Sequence, residues 1–159
     1  MKRFAPLLCL LGSALVMAGG AQARSSDDHG CGRAHAVGVG QDLGGGNTTA
    51  TISHGGRLNG TTAAHFDLTG GAFPVFTIAG TLVFTTKHGT LDATLSGTLN
   101  VATGEFNASG PVSGGTGQLA GTTGNLTFHG FEDLTTGAFT ETISGTLCQA
   151  GDGDDGEGD

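Results

Sequence analysis

The chain of 159 residues carries 32 glycines and nine phenylalanines, has neither tryptophan nor tyrosine, and bears a formal charge of −8 at pH 7. A protein this acidic offers no electrostatic footprint for nucleic acid or for an anionic lipid surface, which excludes both as partners.

The first 23 residues are read as a secretory signal peptide. Met1-Lys-Arg is basic, Phe4 to Ala18 is apolar, and Ala21-Gln22-Ala23 supplies a small-x-small cleavage site. The apolar run is short for a membrane span, and no later stretch could cross a bilayer as a helix, so no membrane insertion is expected. A secreted or periplasmic location follows. Cleavage removes Lys2 and Arg3 and no acid, taking the charge to −10.

Residues 24–30 form a polar leader, residues 31–148 a single domain, and residues 149–159 an acidic Gly/Asp tail. That tail is too polar to bury and is expected to be disordered. Its Asp/Gly alternation lacks the spacing and final Glu of an EF-hand loop. Two of the three cysteines survive cleavage, Cys31 and Cys148, and they bracket the domain. In an oxidising compartment they are expected to form a disulfide.

Between the cysteines the sequence has period two. Phe76, Ile78, Gly80, Leu82 and Phe84 alternate with Thr77, Ala79, Thr81, Val83 and Thr85. Leu91, Ala93, Leu95, Gly97 and Leu99 alternate with Asp92, Thr94, Ser96, Thr98 and Asn100. The pattern predicts strands near 35–40, 48–53, 61–68, 74–86, 90–100, 105–112, 124–131 and 138–148, each with one apolar and one wet face. Short, evenly spaced strands of this kind form a sandwich or a barrel. Without tryptophan or tyrosine the aromatic girdles of an outer-membrane barrel cannot be built.

An internal repeat sharpens the topology. Gly97-Thr-Leu-Asn100-Val-Ala-Thr103-Gly104-Glu-Phe106 returns as Gly130-Phe-Glu-Asp133-Leu-Thr-Thr136-Gly137-Ala-Phe139. Each copy reads as strand, tight turn, strand, with Asn or Asp starting the turn and Gly taking its left-handed position. The Gly-rich linker 114–124 joins the two hairpins into a meander that closes on itself.

The linker Gly114-Gly-Thr-Gly-Gln-Leu-Ala-Gly-Thr-Thr-Gly124, with the strand 125–130 and the closing Thr-Gly-x-Phe hairpin, resembles the signature of allene oxide cyclase and dirigent-like proteins, in particular bacterial secreted members. The resemblance covers residues 75–148, and residues 31–74 by pattern only. It implies an all-β fold, an antiparallel eight-stranded up-and-down barrel with an apolar interior. It also implies homo-oligomers formed through outer faces. Leu119 stands where the signature has an aromatic residue, and neither family's catalytic set can be matched residue by residue. Fold transfers; activity does not.

Glu141 is the candidate for acid–base catalysis. It shares parity with Phe139, Ile143 and Leu147, so a regular strand points it inward, where burial would raise its pKa. A bulge or the barrel rim would turn it outward, and that placement is preferred. Phe66, Phe76, Ile78, Phe84, Phe106, Phe128 and Phe139 are expected to line or fill the interior. The six histidines show no metal-ligand spacing, so no metal is expected, and His65 and His129 fall on the wet face. No Gly-x-Ser-x-Gly elbow supports a hydrolase. Asn-x-Ser/Thr triplets begin at Asn47, Asn59, Asn107 and Asn125, as chance allows in a Thr-rich chain, and are assigned no function.

The leading expectation is an exported, cofactor-free barrel binding a small hydrophobic ligand. An isomerase or cyclase acting on an apolar substrate is the first alternative. A non-catalytic structural or surface-interaction module with a filled core is the second.

Overall fold

The computed structural model describes residues 30–149, so the expected signal peptide, all of the expected leader but Gly30 and all of the expected tail but Gln149 lie outside the described residues. Eight strands follow one another: β1 (Cys31–Gly44), β2 (Asn47–Ser53), β3 (Gly60–Ala72), β4 (Val75–Thr86), β5 (Gly89–Asn100), β6 (Glu105–Gly115), β7 (Thr123–Glu132) and β8 (Ala138–Cys148). Each pairs antiparallel with its neighbour in sequence, and β8 pairs back onto β1, so the sheet is a closed up-and-down barrel. Closure leaves no exposed strand edge to recruit another chain.

The alternation decides the interior. Ala36, Ile52, Phe84, Leu91, Leu95, Leu126, Phe128 and Ile143 are all at most 3 % exposed and face inward, while the intervening threonines face solvent. Hydrophobic burial on one face and hydrogen-bonding side chains on the other therefore fix the register of every strand.

The two ends of the barrel differ. At one end two of the three connections, between β2 and β3 and between β6 and β7, are longer and fold inward. A single 3-10 turn at Gly56–Leu58 buries Leu58, and a second at Gly117–Leu119, inside the Gly-rich linker, buries Leu119. Gln149 fastens them: its amide donates to the Gln118 carbonyl at 2.9 Å, and Arg57 donates to its side-chain oxygen. Cys31 and Cys148, paired in register on β1 and β8, are joined by a disulfide at this same end. It is plugged.

The other end carries the connections 44–47, 72–75, 100–105 and 132–138, and none of them folds across it. The repeated hairpins account for two of the four. Gly104 N–H donates to the Asn100 carbonyl at 2.7 Å and Gly137 N–H to the Asp133 carbonyl at 2.6 Å, with both glycines left-handed, at φ 81° and 74°. The Asn100 and Asp133 side chains accept from the N–H groups of Ala102 and Thr135. Two copies of one sequence pattern thus make one turn twice.

Candidate functional site

Below the open end lies a cavity of about 410 Å³. Its wall is built from inward-facing positions in the mouth half of the barrel, above the packed layer. Phe66, Leu68, Ile78, Leu82 and Leu99, from β3, β4 and β5, make one side apolar. Phe106, Ala108, Phe128 and Phe139 extend it, and the rings of Phe106 and Phe139 meet edge to face at 5.8 Å.

The opposite side, from β7, β8 and β1, carries the carboxylates. Glu141 lies on β8 between two glycines, Gly130 of β7 and Gly38 of β1. The register of β8 with both neighbours is unbroken, so no bulge turns the strand, and Glu141 lines the cavity. The preferred outward placement is therefore corrected. It failed because Glu141 sits one inward position below the rim, with Phe139 above it. The glycines make the room: a Cβ on Gly38 would stand 2.6 Å from Glu141 Oε1, and a Cβ on Gly130 would stand 2.3 Å from the Phe106 ring. Burial alone, with no hydrogen bond or ion pair to offset it, pushes the Glu141 pKa up to about 7.

Asp42 and Glu132 line the same side nearer the mouth, and Asp67 stands exposed at the rim, 3.5 Å from His65. Burial and then the neighbouring Asp42 charge raise the Glu132 pKa. These two carboxylates were missed in the sequence, where the first and seventh strands were ended before reaching them. The repeat held the signal. Glu132 N–H donates to the carbonyl of Gly104 and Asp42 N–H to that of Gly137, each at 2.8 Å, so each acid continues its strand beside an equivalent turn. Thr62, 5 % exposed, was also missed although it shares the parity of Ala64 and Phe66. It lines the cavity.

Of the seven predicted lining residues, Phe66, Ile78, Phe106, Phe128 and Phe139 line the cavity. Phe84 and Phe76 do not. Phe84 faces inward but lies in the packed half, fully buried, with its ring 6.4 Å from that of Phe128. Phe76 is half-buried near the mouth end of β4, beyond the cavity wall. Period two fixes which face a residue occupies and not its height along the barrel axis.

Among the described residues, no group of three or more His, Cys, Asp or Glu side chains is placed to hold a metal ion. None of the described histidines lines the cavity, with His65 donating to Asn47 at 3.1 Å, His129 to Asn107 at 2.7 Å and His88 to Gln118 at 2.6 Å. No helix among the described residues is long and apolar enough to cross a membrane. Fold and site define a closed eight-stranded barrel, plugged at one end and hollow at the other. Comparison of the chain with family models, with curated proteins and with solved structures gives no match.

Proposed function

We propose that this is an exported barrel, similar to the allene oxide cyclase and dirigent-like type, that binds a small hydrophobic molecule in its interior. The observation that carries the reading is the cavity: about 410 Å³, walled by phenylalanine and aliphatic side chains and open at one end. Sites for small organic molecules run from about 300 to 1,000 Å³ and are mostly apolar, with a few polar groups that orient the ligand. A structural module needs only a filled core, and half of this interior is already packed without the cavity. Leaving the other half hollow costs dispersion contacts that a filled core would keep.

Native mass spectrometry of protein purified from its own exported fraction tests the reading. A co-purified apolar molecule lost when Leu82 or Ala108 is enlarged to Phe is the expected result. An unliganded protein that also takes up no apolar probe in solution would overturn it.

One observation favours an isomerase or cyclase as the second reading. Glu141 is an unpaired carboxyl facing the cavity, with a pKa of about 7, suited to giving or taking a proton near neutrality. On that reading Glu141→Gln abolishes turnover while the protein still binds its substrate. Unchanged turnover would remove Glu141 from any mechanism.

A further inference from the structure

The cavity is two-sided, and its polar side carries one sign of charge. Asp42, Glu132 and Glu141 line that side, Asp67 of β3 stands at the rim, and no lysine, arginine or histidine lines the cavity. The chain's cations lie elsewhere. Among the described residues the only lysines and arginines are Arg33 near the start of β1, Arg57 in the first 3-10 turn and Lys87 between β4 and β5. All three belong to the plugged end. Among the described residues the lysines and arginines are thus set apart from the acids of the mouth and cavity, with Asp92 of β5 an acid of the plugged half.

Among the described residues no cation answers Asp42, Glu132 or Glu141. Asp67 stands 3.5 Å from the exposed His65, and Asp42 Oδ1 accepts the Gly44 N–H at 2.8 Å. Asp42 and Glu132 repel one another, and Glu141 has neither a hydrogen bond nor an ion pair among the described residues. Unpaired polar groups in a low-dielectric wall are costly unless something pairs with them. Their arrangement repels a fatty acid or any other apolar anion, and a neutral hydrocarbon would leave them unanswered.

We propose that the interior site takes a hydrophobic cation: a compact apolar body against the β3–β5 wall, joined to a protonated amine that meets Glu141 and the Asp42–Glu132 pair. The inference rests on interior binding and adds the chemical class of the ligand. The acidic mouth draws such a molecule in, and the apolar wall holds it.

The test is calorimetric titration of the full mature chain at pH 8 and low salt with octylamine, 1-octanol and octanoate, which share one apolar body. Octylamine is expected to bind at least about tenfold more tightly than octanol, with octanoate weakest, the gap expected of a charge-assisted contact. Glu141→Gln, and separately Asp42→Asn with Glu132→Gln, should bring octylamine to within a few-fold of octanol measured on the same variant. Unchanged circular dichroism and cooperative urea unfolding show that the variants keep the fold. Equal affinities for the three probes, or octanoate binding most tightly, would overturn the cation inference and leave interior binding standing. Binding of none of them would overturn interior binding as well.

Discussion

Glu141 is held in an environment that favours its neutral form, and this has a consequence for stability that depends on pH. Its pKa is raised from 4.5 to about 7 in the folded chain. Between those values the folded state keeps a proton that the unfolded state has released, so stability falls as pH rises through the window. Below about 4.5 both states are protonated and the effect is absent; above about 7 it is complete, and worth about 3 kcal/mol. Glu141→Gln removes the titration. The variant should be more stable than the native chain at pH 8.5, by up to about 3 kcal/mol, with the gap closing by pH 4.5. Urea unfolding at the two pH values measures this, and a gap independent of pH would contradict it. The parity of Glu141 was legible in the sequence, since the strand around it alternates cleanly. Its height below the rim was not, because no local pattern records where along the axis a cavity begins. The same gap concealed Asp42 and Glu132.

The strands themselves were legible almost throughout. Their residues obey period two because one face is buried and the other wet, and that constraint is written into each strand separately. The predicted ends fell short where the chain stays extended without alternating, as at Gln41–Gly44 and Thr69–Ala72. The Gly-rich linker was legible as a connection between two hairpins but not as a plug. A 3-10 turn of three residues has no period, and only burial shows that Leu119, 3 % exposed, is a core side chain. Leu119→Ala should cost about 3 kcal/mol through the cavity it leaves beneath the linker. Chemical denaturation reads that loss. An effect below about 1 kcal/mol would mean the linker merely covers the end and does not help to hold it.

For the whole molecule, the seam between β1 and β8 joins the two ends of the chain, and the disulfide spans a sequence separation of 117. Cross-linking so long a loop restricts the unfolded chain, an effect worth about 4–5 kcal/mol in the chain-entropy picture. Replacing Cys31 and Cys148 together by serine should lower unfolding stability by up to that amount while the near-neutral fold persists. Equilibrium unfolding in urea checks the size of the loss. Stability unchanged by the double replacement would place the work of closure in the β1–β8 hydrogen bonds and the packed layer instead. Topology was the most legible property at this scale, since regular strands joined by short turns leave few alternatives to a meander. The asymmetry of its two ends was not legible, because it depends on three distant connections meeting.

That asymmetry also sets a direction. Gly30 and Gln149 leave the barrel together at the plugged end, beside the disulfide. A label, a tether or a fused partner joined directly at Gly30 or Gln149 is thus carried on the far side from the mouth. Grafted to a solid support by one end, the protein would stand upright with its opening toward the solution, so sensors or affinity matrices could be made from it without obstructing entry.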